Sequence, residues 1–321
     1  MQGQAGEKPN ETEASASKGG SRGSTVPWSD RRIVFVSGKG GVGKSLIAAG
    51  LAKAFAASGR KTLLAEIGET SYYQDFWGLP KVDHEPRRHP DGFDLALWSG
   101  ETSLREYVLF YLRMERLYSL FFENKVMRAL VNVAPGLSEI AILGKITSGL
   151  RKVGPPLEYD TIVVDCYATG HALALFQAPR GMSQAIGFGP MGHHSREIDA
   201  ILRDPRLCAY VAVTLLEELP VSETMEFSHA LEKDLGVKAD IVANKIVTPP
   251  VSDSELERLA SENLGGLSEF SAYLKYLDLR QKTFMRELEA DGNRVVRAIP
   301  LIFSAEPKFL VAATGEALRN P

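Results

Sequence analysis

Four glycines, two lysines and a closing hydroxyl fall in the eight positions Gly38-Lys39-Gly40-Gly41-Val42-Gly43-Lys44-Ser45, directly after the apolar run "RIVFVS" (32–37). The spacing fits G-x-x-x-x-G-K-[ST]. Glycines so placed let successive backbone N–H groups turn into one concavity, where an anion takes the place of water. Lys44 would neutralise the outer phosphates of a bound nucleotide, and the Ser45 hydroxyl would coordinate Mg²⁺. A helix opening at Ser45 would aim the positive end of its dipole at the same phosphates. Lys39 is then a second cation inside a loop where one suffices.

Asp165 closes another apolar run, "DTIVVDC" (160–166), and is followed by Thr169-Gly170-His171. A carboxylate at the end of a buried strand is the group that holds the water shell of the nucleotide's metal. Ser45 and Asp165 are therefore the expected Mg²⁺ pair, Asp165 acting through water.

These residues need a frame that brings strand ends together. β-rich runs recur at 32–37, 61–67, 93–99, 160–166, 208–216, 238–244 and 294–302, separated by helical patterns. Strands alternating with helices imply parallel pairing by right-handed crossovers and a sheet covered on both faces. The expected fold class is α/β: a P-loop NTPase with a mostly parallel, doubly wound sheet and a helical subdomain. The helix Ser45–Ser58 should stop at Gly59, and a long helix before Gly292 should stop there. Helical elaborations interrupt the rhythm around 101–152 and 171–206, the second punctuated by Gly and Pro. "FGPMGHHS" (188–195) reads as a hinge. The aromatic segment 107–122 is expected to pack on the sheet as part of the helical subdomain.

The chain has 321 residues, 44% hydrophobic content and a net charge of −3, enough for a sizeable core but no footprint for nucleic acid. Cys166 and Cys208 are its two cysteines, far apart and without a CxxC, so neither a zinc clasp nor a disulfide framework is expected. Histidines in "DHEPRRH" and "GHHS" read as loop or surface residues. The chain shows neither a secretory apolar core nor a bilayer-spanning run, and a cytoplasmic protein without stable membrane insertion is expected. Residues 1–30, rich in Gly, Ser, Glu and Lys, read as a disordered tail, and 31–321 as the folded domain.

"KGGVGKS" resembles the deviant Walker A motif of the MinD/ParA, nitrogenase iron protein and arsenite-pump ATPase group. In that group the early lysine reaches nucleotide held by a partner subunit, a role the resemblance gives to Lys39. Ala168-Thr169-Gly170-His171 is similar to the end of "D-T-A-P-T-G-H", switch II of the arsenite-pump and tail-anchored-protein-targeting ATPases. Cys166, Tyr167 and Ala168 depart from it. "NVAPGLSEIAIL" (132–143) and the "P-x-x-E-T" signature in "LPVSETMEF" look like the same family. The resemblance implies ATP and Mg²⁺ as cofactors. It implies a nucleotide site of Gly38, Lys39, Gly40, Gly41, Val42, Gly43, Lys44, Ser45 and Leu46. Asn244 would read adenine, and Pro300 and Leu301 would pack near the base. Gly170 would let switch II swing, with His171 on the γ-phosphate side.

Switch I differs most. The family's "D-P-A-H-x-L-x-D" becomes "EIGETSYYQDF" (66–76), in which Glu66 replaces the first Asp and Asp75 matches the last only through an insertion. Either Glu66 or Asp75 would orient the attacking water, beside Lys39, Lys44 and Asp165. The alternative is a subunit that binds ATP and hydrolyses it weakly or not at all. The implied partners are a second copy, or a paralogous ATPase in a hetero-oligomer, and an unknown protein client. The cysteine count does not support metalloid pumping, and a full groove for a transmembrane client is not expected. A MinD/ParA-type positioning protein would need a membrane helix or basic face that the C-terminal "ATGEALRNP" lacks. A small-molecule kinase or ligase would need a substrate pocket that the sequence does not reveal.

Overall fold

The computed structural model describes residues 27–112, 136–154, 157–186, 189–262 and 265–319. Its strands are β1 (Ile33–Gly38), β2 (Thr62–Ile67), β3 (Arg87–Arg88), β4 (Asp94–Trp98), β5 (Thr161–Asp165), β6 (Cys208–Thr214), β7 (Asp240–Ile246) and β8 (Arg294–Pro300). They form one sheet in the order β3-β4-β2-β5-β1-β6-β7-β8. All pairs are parallel except β3 with β4, which run antiparallel at the edge. The α/β, mostly parallel sheet is the one expected. β3 is two residues long, too short to leave a periodic signal in the sequence.

The helices are α1 (Lys44–Ala57), α2 (Tyr72–Trp77), α3 (Gly100–Leu112), α4 (Leu137–Ile146), α5 (Ser148–Arg151) and α6 (Thr169–Ala185). There follow α7 (Gly189–Leu202), α8 (Glu218–Leu235), α9 (Asp253–Ser261), α10 (Gly266–Ala290) and α11 (Pro307–Arg319). Alternation along β1 sorts them into two layers. Ile33 and Phe35 face a core built with α4, α6, α7, α8 and the end of α10. Val34 and Val36 face a second core built with α1, α2 and α11. On the first face Phe35, Phe176 and Tyr210 pack ring against ring with centroids 5.0–5.3 Å apart. On the second, α1 is rich in Ala, the best helix former, and α11 crosses it at Gly50. A Cβ at Gly50 would stand 2.7 Å from Thr314 Cγ2, so only glycine permits that approach.

β1 lies between β5 and β6, while the chain leaves it for β2 on the far side of β5. A doubly wound sheet binds its ligand where the winding reverses, outside the C-terminal strand ends. That is the edge where the glycine-rich loop emerges.

One element rises past this edge. Gln281 of α10 donates from Nε2 to Val247 O at 2.8 Å and accepts from Val247 N at 2.8 Å, just beyond the end of β7. The residues of α10 before Gln281 therefore continue past the sheet for on the order of 20 Å at 1.5 Å per residue. α9 runs beside them, joined by a Lys275–Glu257 ion pair. Phe270, Tyr273 and Tyr276 are each 56% exposed on this projection.

Several expectations need correction. The predicted tail reached residue 30, yet Trp28 is buried and its Nε1 donates to Asp240 Oδ2 at 2.5 Å. A large apolar ring with one donor found an apolar seat and a carboxylate, and residues 1–26 lie outside the described ones. The punctuated stretch 171–206 is α6 and α7. Pro179 sits buried inside α6, and Gly189-Pro190 opens α7, where proline's missing N–H has no intrahelical partner to lose. The expected hinge is therefore largely a helix start, Phe188 lying outside the described residues. Most of segment 107–122 also lies outside them, though Tyr107 of α3 packs near Gly144 of α4. Cys166 and Cys208 are buried and free. Among the described residues no helix is long and apolar enough to cross a membrane.

Candidate functional site

β1 carries Ser37 and Gly38 to the sheet edge, and the loop turns from there into α1. Gly38 (φ 151°) approaches β6 so closely that a Cβ would lie 2.2 Å from Val213 O. Gly41 and Gly43 have φ of 85° and 97°, a region that side chains disfavour. A Cβ on Gly43 would meet Asn244 Nδ2 at 2.4 Å, whereas a Cβ on Gly40 or Gly41 would meet nothing within 4 Å. The loop is thus packed at its two ends and open at its middle, as a cradle for a phosphate chain requires. No acidic residue of α1's own sequence sits in its first turn. Lys44 folds over the loop, its Nζ donating to Lys39 O at 3.3 Å. Val42 is buried and Leu46 half-buried against the α1 core.

Two residues from β7 brace the loop from behind. Asn244 is buried and donates from Nδ2 to Val42 O at 2.8 Å. Lys245, at φ 58°, donates from Nζ to Gly41 O at 3.3 Å. One amide donor of Asn244, expected to read adenine, is therefore committed to the loop. Pro300 is exposed at the end of β8, and Leu301 N continues the pairing by donating to Ile246 O at 2.9 Å.

The carboxylate side of the site lies where β1, β5 and β2 end together. Asp165 pairs in register with Val36 on one side and Glu66 on the other. Both carboxylates are 5% exposed. Burial raises Asp165 above the usual carboxylate range, while hydrogen bonds from Ser45 and Tyr73 and the charge of Lys44 pull the other way. A hydroxyl and a carboxylate in contact beneath an anion cradle suit Mg²⁺, which keeps much of its water and takes few protein ligands. The residues present therefore fit that ion. Glu66 is pushed up to about 7, chiefly by burial and also by the charge of Asp165, against hydrogen bonds from Ser71 and Tyr72. Ser71 Oγ donates to its Oε2 at 2.5 Å and Tyr72 N to its Oε1 at 2.6 Å.

The segment after Glu66 enters α2. Tyr73 is fully buried, with its hydroxyl 2.8 Å from Ser45 O and 3.0 Å from Asp165 Oδ2. Asp75 lies two positions further, about 200° round the helix, and is exposed. The structure gathers the loop, Glu66, Asp165 and Asn244 at one edge and leaves Asp75 turned away from it.

Thr169, Gly170 and His171 are the first turn of α6. His171 is exposed and meets Tyr167 edge-on at 6.0 Å. Ser37 Oγ donates to Tyr167 O at 2.8 Å, tying this segment to β1. Lys39, half-buried, pairs its Nζ with Glu223 Oε1 of α8 in the same chain.

Sequence reading did not single out Tyr73, Lys245 or Glu223. Tyr73 and Glu223 lie within stretches it quoted, but their roles depend on contacts with residues far along the chain. The histidines also gain a companion: ligand atoms of His193, His194 and Glu197 lie within 4.8 Å of one another. Arg151 Nη1, however, is 3.1 Å from His194 Nδ1 and 3.8 Å from Glu197 Oε2. A guanidinium already stands where a cation would have to sit, so the cluster is an ion-paired one.

A family model described as an anion-transporting ATPase matches residues 31–189. ATPase BagA of Mycobacterium tuberculosis is 29% identical over 258 residues, covering 75% of this chain and 74% of that protein. ATPase ARSA2 of Chlamydomonas reinhardtii is 25% identical over 271 residues, 70% of each chain. ATPase GET3B of Arabidopsis thaliana is 24% identical over 278 residues, 71% of this chain and 67% of that one.

Proposed function

This chain belongs to the anion-transporting ATPase family, and from that premise we propose that it is a nucleotide-driven switch that binds ATP with Mg²⁺ between two subunits and hydrolyses it slowly. The observation that carries the reading is the loop open at Gly40 and Gly41 above the Ser45–Asp165 pair. Backbone N–H groups and Lys44 hold the phosphates, and the N-terminus of α1 adds its dipole. Ser45 and Asp165 hold the metal, which when bound neutralises charge building up between the β- and γ-phosphates.

Slow turnover follows from switch I. Glu66 is the carboxylate nearest the metal pair, yet both its oxygens already accept hydrogen bonds from its own segment. With its pKa near 7 it is only partly ionised at neutral pH. A base held this way orients water poorly. A purely binding subunit, paired with a paralogue, is favoured over this if no turnover is found.

A second copy is supported by two features of the nucleotide edge. Lys39 is a cation that Lys44 makes redundant within one site, and its Glu223 pair is half-exposed and so readily exchanged. The α10 projection, on the same edge, carries the exposed rings Phe270, Tyr273 and Tyr276. Antiparallel contact of two copies about Tyr273 sets Tyr273 on Tyr273 and Phe270 on Tyr276, as a two-fold interface requires.

The test is calorimetric titration of ATP with Mg²⁺, phosphate release, and light scattering, on the native chain and on Lys44→Ala. Binding lost in Lys44→Ala, slow release and a mass increase with ATP are expected. Absence of ATP binding by the native chain overturns the reading.

A further inference from the structure

The tyrosine under the metal pair has no counterpart among the residues that hold or cleave nucleotide in the reading above, yet it touches both members of that pair. Tyr73 is the one buried side chain of α2. Its hydroxyl lies 2.8 Å from the backbone oxygen of Ser45 and 3.0 Å from Asp165 Oδ2, with no exposure to solvent. A phenol carries its proton at neutral pH, its ordinary pKa being about 10. It is therefore a donor, and the carboxylate is the stronger acceptor of the two. Asp165 has two oxygens to place. With Oδ2 held by Tyr73, the plane of the carboxylate is fixed, and with it the direction in which Oδ1 points.

The ring that carries this hydroxyl is held on several sides. Trp77 stacks on it at 5.0 Å and 19°, and Tyr72 meets it edge-on at 5.4 Å. Trp77 in turn packs on His89 at 4.3 Å, and His89 stacks on Phe93 at 4.8 Å, next to β4. Ser71 caps α2 by accepting from Gln74 N, and Gly78 ends it at φ 61°. The hydroxyl cannot leave Asp165 without moving the whole switch helix, which is why it can act as a gauge of that carboxylate's orientation.

We propose that Tyr73 is a positioning residue for the metal. It orients Asp165 toward the water shell of Mg²⁺ and couples occupation of the metal site to the position of α2. The proposal rests on the ATP·Mg²⁺ reading of the site. It predicts that this chain separates ATP from ATP·Mg²⁺ through a tyrosine hydroxyl rather than through a switch I carboxylate.

Tyr73→Phe keeps the ring and its stacking and removes only the hydroxyl, and near-UV circular dichroism checks that the aromatic cluster is intact. A fluorescent ATP analogue reports binding in EDTA and across a Mg²⁺ titration. A hydrogen bond to a charged group is worth about tenfold or more in an equilibrium constant. The Mg²⁺ midpoint should therefore rise about tenfold in Tyr73→Phe, with metal-free ATP affinity within about twofold of the native value. An unchanged midpoint overturns the proposal, and so does an equal loss with and without Mg²⁺, which would mark a merely structural role. If the native chain binds the analogue and responds to Mg²⁺ while the variant matches it, the proposal alone falls. If the native chain binds no analogue, the nucleotide reading falls and takes the proposal with it.

Discussion

Glu66→Gln tests the electrostatics of the strand-end carboxylates without nucleotide or metal. Burial and Asp165 raise Glu66 from 4.5 to about 7. A raised carboxylate pKa means that the folded protein keeps a proton which the unfolded chain releases. Stability is then fully present below pH 4.5, declines as pH rises, and reaches its floor above about pH 7. The gap of about 2.5 pH units at 1.36 kcal/mol each gives about 3 kcal/mol of folding free energy forgone at high pH. Asp165, raised for the same reason, adds a contribution of the same sign. Glutamine preserves the local geometry. Its Oε1 can accept from Tyr72 N, and its amide can donate to Ser71 Oγ in place of the bond from that hydroxyl. The variant should match the native protein near pH 4.5 and exceed it by about 2–3 kcal/mol at pH 8. Urea melts in EDTA across that range measure the difference directly. A stability difference of constant size at every pH would refute the reasoning, because packing has no pH dependence and ionisation does.

Gly38→Ala should destabilise by about 3 kcal/mol or more, since a Cβ 2.2 Å from Val213 O meets backbone shared by two central strands; thermal melts measure it. Trp28→Ala should cost about 2–3 kcal/mol in urea melts, the range for removing a large side chain at the edge of a core. Glu223→Gln should alter stability by less than about 1 kcal/mol, since the pair is partly solvated, while releasing Lys39. Light scattering should then find the ATP-dependent mass increase at lower ATP than in the native chain; a higher requirement would mean that Glu223 helps the partner contact.

The frame was readable where the chemistry is local. Runs such as "IVFVSG" and "TIVVD" are apolar throughout because parallel strands are buried on both faces, and their ends fell within a residue or two of the observed ones. The loop was readable for the same reason: its function needs backbone N–H groups and glycines in succession. What escaped depends on distant partners. Nothing in "SYYQDF" says which of two adjacent tyrosines turns inward, and Tyr73 is chosen by Asp165, 92 positions away. Asp75 looked as eligible as Glu66 until α2 turned it outward. Pro179 read as punctuation because its helical setting is fixed by the core it is buried in. Trp28 stood in a polar segment whose composition outvoted a single ring.

The double bond of Gln281 to Val247 has a mechanical consequence. A primary amide offers a donor and an acceptor side by side, so it grips a strand end as a ninth strand would, from a helix. Val247 follows Asn244 by three residues, and Asn244 holds Val42 O. Load applied to the aromatic end of α10 therefore has a direct route, through one amide and a few bonds of β7, to the floor of the phosphate loop.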